Sequence, residues 1–222
     1  MLGQLVREVV VGSNECGRSD VIVIDVILAG GWLMLPILSC SVVAAAICVE
    51  RYWSLREELV VPPELLALTL PQLKQVLSDP GSREQLRNHS PLGAVLAVLD
   101  QRDRDNMENA REAALAGAGH DLETYLTALG IIALISPLLG ILGTVVGMID
   151  VFTSVVSASG ETAALAGGIS TALITTAAGL SIAIPTLIAH RLLLRKVDTL
   201  LVMLDETSQR WCMQLCAEHA DE

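Results

Sequence analysis

Three stretches of the chain carry no Asp, Glu, Lys or Arg: residues 26–49, 124–149 and 162–189. Each exceeds the ~20 residues that cross about 30 Å of hydrocarbon as a helix. All 14 basic and 25 acidic side chains lie outside them. The 222-residue chain therefore reads as ordinarily charged polypeptide interrupted by three apolar helices. The predicted fold is an all-α integral membrane protein. Its transmembrane helices are placed at 26–49, 124–155 and 162–190. Around them lie an N-terminal segment (1–25), a large helical loop (50–123), a short turn (156–161) and a C-terminal helix (191–222).

The polar segments also carry helical signals. Pro62-Pro63-Glu64 opens a helix, since Pro suits the first turn. Ser78-Asp79-Pro80-Gly81 reads as a turn. Ser90-Pro91 reads as an N-cap followed by Pro at the first helical position. Leu92, Val95, Leu96 and Leu99 then fall at i, i+3, i+4, i+7 on one apolar face. Gly117-Ala118-Gly119 either interrupts the following helix or lets it pack closely. Past the third apolar stretch, Val197, Leu201, Leu204, Trp211 and Leu215 share a face, so that helix is expected to continue beyond the membrane. Packing against neighbouring helices accounts for both stripes.

Charge sets the expected orientation. Arg51, Arg56, Arg111, Arg191, Arg195 and Lys196 flank one side of the three spans. The other side has Arg18 alone. The excess of basic residues marks the cytoplasmic side, which puts the N-terminus outside and the C-terminus inside. The N-terminal region mixes Arg7 and Arg18 with four acidic residues, and the apolar run after it is too long for a secretory h-region, so it reads as a retained anchor. The net charge of −11 offers no basic patch to nucleic acid. The five cysteines are odd in number and two lie in the first span, which argues against a disulfide framework. Cys212, Cys216 and His219 would share a helix face, but three ligands without a fourth make a poor metal site. No metal or cofactor is expected.

Spans two and three differ from plain anchors. In the second, Gly140, Gly143, Thr144 and Gly147 recur at i, i+3, i+4, i+7, and Gly143 and Gly147 form a small-xxx-small pair. In the third, Gly168, Thr171, Thr175 and Gly179 share a face. Pro137 and Pro185 each remove a backbone hydrogen bond and are expected to bend their helices. Two readings stay open and are compatible: tight helix packing, or a hydroxyl-lined lumen at the centre of a ring of subunits. Asp150, toward the outer end of span two, is a candidate interfacial or functional carboxylate.

At these residues the chain resembles the ExbB/TolQ/MotA group of bacterial proton-channel subunits, with the ExbB and TolQ branch most similar. Three blocks carry the likeness. They are Gly30-Gly31-Trp32 through Leu38 with Glu50-Arg51 after it; Ser136-Pro137-Leu138-Leu139-Gly140 through Gly143-Thr144-Val145-Val146-Gly147-Met148; and Gly167-Gly168-Ile169-Ser170 through Thr176-Ala177-Ala178-Gly179-Leu180 to Ile184-Pro185. The resemblance implies a homo-oligomeric ring, a pentamer in that family, in the bacterial inner membrane, with the N-terminal segment and the 156–161 turn periplasmic. It implies an ExbD/TolR-type single-span partner whose carboxylate carries the proton, and a TonB/TolA-type energiser that receives the work. Membrane lipid is the remaining expected partner. It further implies that Thr144 and Thr176 face the lumen, with Thr171 and Thr175 as additional channel-lining candidates. In ExbB and TolQ a Glu commonly occupies the position held here by Thr171, and Thr takes up no proton at accessible pH.

The expected function is a stator subunit that uses the proton motive force to energise TonB-dependent outer-membrane transport. A TolQ-like subunit of a Tol-Pal envelope-integrity system is the alternative within that class, and a non-conducting scaffold is the alternative outside it. An enzyme is not expected. Gly140-x-x-Gly143 lacks the Lys-Ser/Thr of a phosphate loop, and His89, His120, His190 and His219 have no nucleophile or acid at catalytic spacing.

Overall fold

The computed structural model describes residues 31–99, 104–157 and 162–218, with the side chains of 104–105, 154–157, 162–166, 171 and 218 excepted. The 1–25 segment, the start of the first span, the core of the 156–161 turn, His219 and the Thr171 side chain thus lie outside the description. The described residues form helices without strands: α1 (Met34–Ser54), α2 (Glu57–Val60), α3 (Pro63–Leu66), α4 (Leu70–Ser78), α5 (Pro80–His89), α6 (Pro91–Leu96), α7 (Arg104–Glu123), α8 (Leu126–Ser157) and α9 (Thr162–Glu218). Among these residues three helical stretches are long and apolar enough to cross a membrane, in Met34–Ser54, Asn106–Thr153 and Gly167–Ala217. α9 has 57 residues, nearly three times what a crossing requires. It runs without a break through Pro185, as α8 does through Pro137.

The chain divides into two compact units. The apolar unit takes in 31–44 and 131–186 of the described residues, which are parts of α1, α8 and α9. Leu33, Met34 and Ile37 are buried near the start of α1, but where α8 and α9 meet the interior is built mainly from small side chains. Ala133, Ser136, Gly140 and Gly143 of α8 are buried, as are Ala172, Thr175, Gly179 and Ala183 of α9. The large aliphatics point away: Leu134, Leu138, Ile141, Val145 and Ile149 on α8, and Leu173, Leu180 and Ile184 on α9, are exposed. Lipid tails are as apolar as Leu and give no force to drive Leu inward, so close backbone approach through small residues holds such helices together.

The second unit takes in 45–130 and 187–218 of the described residues, and its core is of the opposite kind. Leu55, Leu73, Leu92, Val95, Leu96, Leu99, Val197 and Leu204 are fully buried. The short helices follow their local signals. Pro63, Pro80 and Pro91 each occupy the first turn of a helix. Asp79 Oδ2 accepts from the Ser82 N–H at 2.9 Å and caps α5. Ser90 Oγ accepts from the Gly93 N–H at 3.1 Å and caps α6. The Ser78–Gly81 turn is therefore a junction between two helices. Gly117 and Gly119 lie inside α7, where Gly119 packs against Leu201 of α9 and Gly117 meets nothing. Neither glycine interrupts the helix, and a methyl group would fit at both positions.

Between α7 and α8 the chain passes through Tyr125 at φ +64°, the only non-glycine residue with positive φ among those described. A bulky residue in the left-handed region carries of order 1–3 kcal/mol of strain. The Tyr125 carbonyl nonetheless accepts the Leu129 N–H at 3.0 Å and begins α8.

Candidate functional site in the small-residue helix pair

Within the apolar unit, α8 and α9 approach so closely that their glycines have no room for a methyl group. A Cβ at Gly140 would lie 3.0 Å from Thr176 Cα, and one at Gly179 would lie 2.6 Å from the Ser136 carbonyl oxygen. A Cβ at Gly143 would run into the Thr175 side chain, and one at Gly168 into Val151. At Gly147 it would touch Ala172 Cβ at 3.0 Å. Gly140, Gly143, Gly147, Gly168 and Gly179 thus all serve one interface, and Pro137 sits beside it.

The hydroxyls at this interface fall into two groups. Ser136, Thr144, Thr175 and Thr186 donate back to their own helices, to the carbonyls of Ile132 (2.7 Å), Ile141 (2.6 Å), Ala172 (2.8 Å) and Ile182 (2.7 Å). Such back-bonds satisfy a hydroxyl without calling on another element. Thr176 differs, because its Oγ1 donates across to the Gly140 carbonyl of α8 at 2.9 Å. The helical ladder assigns that same carbonyl to the Thr144 N–H. Gly140 thus joins the two threonines: its oxygen takes the Thr176 hydroxyl, and Thr144 lies one turn further on.

Thr144 and Thr176 are half-buried, and each oxygen keeps lone pairs able to accept a hydrogen bond. Thr175 is 1% exposed and packed on Gly143. In the single chain it is a packing residue and opens onto no surface. One residue of separation turns a helical side chain through about 100°, which is why Thr175 and Thr176 do different things. Asp150 is exposed near the end of α8.

The second unit holds polar arrangements that the sequence pattern does not announce. Arg111 is 5% exposed. Its Nη1 donates to Asp205 Oδ1 (2.6 Å) and Ser208 Oγ (3.3 Å), and its Nη2 donates to Glu108 Oε1 (2.6 Å). A buried guanidinium demands such partners. The Glu108 carboxylate raises the Arg111 pKa further, and the guanidinium holds Glu108 below the ordinary carboxylate value. The Cys212 thiol donates to Glu108 Oε2 at 3.4 Å, and burial first, then Glu108, push its pKa up to about 11. Among the described residues no group of three or more His, Cys, Asp and Glu is placed to hold a metal. Arg51, also buried, lies over the Tyr125 ring at 4.9 Å from the centroid, with the Glu50 carboxylate 3.5 Å from Nε.

The description of the MotA/TolQ/ExbB proton channel family matches residues 78–206. A biopolymer transport protein of Vibrio cholerae, exbB1, is 31% identical over 187 residues, which is 80% of this chain and 81% of that protein. This chain belongs to the MotA/TolQ/ExbB proton channel family. A putative ExbB-like biopolymer transport protein 3 of Synechocystis is 35% identical over 180 residues, 72% of this chain and 80% of that protein. An ExbB biopolymer transport protein of Helicobacter pylori is 46% identical over 81 residues, 36% of this chain and 56% of that protein. The family match contains the whole of α8, the α9 interface and the Arg111–Asp205 pair, while α1 lies outside it. Family membership and the three apolar helical stretches together fit a multi-pass membrane protein.

Proposed function

We propose that this chain is the channel-forming, ExbB-type subunit of a proton-driven energising complex in the bacterial inner membrane. In this reading its copies form a ring, a single-span ExbD/TolR-type protein occupies the centre, and the work passes to a TonB/TolA-type protein serving outer-membrane transport. The N-terminus is periplasmic and the C-terminus cytoplasmic, in keeping with the six-to-one distribution of basic residues across the spans. The subunit is a conduit and not an enzyme. A Tol-type system remains the second reading, because the relatives named for biopolymer transport share its family.

The observation that carries the proposal is the Gly140 junction. The Thr176 hydroxyl donates a hydrogen bond to the Gly140 carbonyl and the Thr144 hydroxyl donates one to the Ile141 carbonyl, so both hydroxyl oxygens are left as acceptors. They suit the O–H of a protonated partner carboxyl. When that carboxyl ionises, rotation of either hydroxyl turns it into a donor. A bare carboxylate in a low-dielectric interior is costly, and hydroxyl donors lower that cost. A proton crossing 100 mV releases roughly 2.3 kcal/mol. Hydrogen bonds to a charged group, at about 1.5–3 kcal/mol each, are therefore large enough to balance the two states of the carboxyl. With Thr at 171, the partner's carboxylate is the titrating group.

The test is the double variant Thr144→Val, Thr176→Val, which keeps the shape and removes both hydroxyls. Partner-dependent uptake or growth is measured, with subunit level and oligomer size followed in the same cells. Normal assembly with loss of energised transport is expected. Full activity would overturn the hydroxyl-lined pathway and favour a scaffold.

A further inference from the structure

The second unit contains a cavity of about 590 Å³ that the proton pathway does not use. Its volume falls within the range of sites that hold small ligands, about 300–1,000 Å³. α4, α5 and the residues after α6 form its walls. Three cationic side chains line it, Lys74, Arg83 and Arg87, against one carboxylate, Glu84. Leu77 and Val98 supply an apolar wall.

The two arginines are placed by the fold. The Asp79 cap and Pro80 start α5, so Arg83 and Arg87 fall one turn apart on one face of that helix. Arg83 Nε donates to the Ala97 carbonyl at 2.5 Å, at the end of α6, which fixes the guanidinium and leaves its Nη groups for other partners. No carboxylate among the described residues forms an ion pair with Arg83 or Arg87. In a chain with 25 acidic residues and a net charge of −11, two arginines one turn apart with no ion pair among the described residues are a feature to be explained. Glu84 accepts from Asn88 Nδ2 at 3.3 Å along its own helix.

We propose that this cavity binds a small phosphate-bearing organic molecule, with Arg83 and Arg87 holding the phosphate and the wall at Leu77 and Val98 receiving its organic body. A single carboxylate has two oxygens and is satisfied by one guanidinium fork. A phosphate presents three oxygens and can accept from two forks at once, and guanidinium geometry matches it. The apolar wall selects an ester over the inorganic ion. The site is independent of the transmembrane threonines.

The experiment uses the purified full-length chain in detergent, with its partner where the two co-purify. Binding of radiolabelled ATP is followed by equilibrium dialysis, and binding of a short-chain phosphatidic acid is followed in a parallel arm. The expected result is saturable binding that weakens with added salt and that inorganic phosphate displaces only poorly. Arg87 is exposed and makes no ion pair with any described residue, so Arg87→Gln should fold normally and weaken binding at least tenfold. Arg83→Lys should weaken it similarly, because the charge stays and the fork is lost. Arg210→Gln, an exposed arginine elsewhere, should leave it unchanged. Binding of ATP alone assigns the phosphate to a soluble ester. Arg87-dependent binding of phosphatidic acid alone assigns it to a lipid headgroup. Failure of both probes to bind, or equal losses in the Arg87 and Arg210 variants, would overturn the proposal.

Discussion

The two units of this chain solve the packing problem in opposite ways. In the second unit Leu and Val fill the core, and among the described charged side chains only Arg51 and Arg111 are buried with them, so the hydrophobic effect in water stabilises it. In the apolar unit Gly, Ala, Ser and Thr are inside, while Leu134, Leu138, Ile141 and Leu173 are outside. That surface would be a liability in water and is at home in lipid. The contrast shows that burial has no fixed chemical meaning within one chain. A buried Leu in the second unit marks the driving force for folding. A buried Gly in the apolar unit marks the absence of that force and its replacement by close contact.

The comparison is broken most severely at Gly143. Gly143→Leu would drive a side chain into Thr175, and we expect loss of the folded subunit, with roughly 3 kcal/mol or more of destabilisation. Subunit level and oligomer size in membranes measure it. Gly117→Ala is the contrasting change, since Gly117 meets nothing and lies inside α7, so a gain of about 0.5–1 kcal/mol is expected.

In the aliphatic core, Leu96→Ala should cost about 2–5 kcal/mol, as deletion of a fully buried Leu usually does. Denaturation of the purified subunit reads the loss. A variant as stable as the parent would show that this core is not packed as described.

The smallest effect concerns acid. Arg111 holds the Glu108 carboxyl below its ordinary value, so the unfolded chain takes up the proton more readily than the folded one. The contribution is therefore complete above the ordinary carboxylate pKa and lost as pH falls through the depressed value. Melting temperature against pH should show this fall, and Glu108→Gln should flatten it. Glu108 is half exposed, so the change is modest. In the same protein Cys212 should resist maleimide at neutral pH until the chain is unfolded, since its thiol is buried and pushed up to about 11.

Much of this was legible in the sequence wherever the signal is local. The charge-free runs, the Ser90 cap, the Leu92–Leu99 face, the Val197–Leu215 stripe and the glycine spacing each lie within one continuous stretch of chain. Other features depend on distant pairs. Nothing near Arg111 names Asp205, which lies 94 residues away. The cavity needs α4, α5 and the end of α6 together, and periodicity in one helix cannot supply three. Thr175 and Thr176 lie side by side in a stripe of small residues. Only the position of the opposing helix decides which hydroxyl crosses to Gly140 and which is sealed against Gly143.

Tyr125 separates two helices that would otherwise be one. α7 and α8 follow each other with almost no intervening chain, and a left-handed residue between them interrupts the hydrogen-bond ladder. A continuous α-helix resists torsion because every turn is tied to the next. At Tyr125 that tie is missing, so a twist applied to α8 need not arrive at α7. α9 has no such joint between Thr162 and Glu218, where only Pro185 removes a bond from the ladder. Of the two long helical paths, one continues as a single helix and the other is interrupted at Tyr125, whose ring lies against the Arg51 guanidinium.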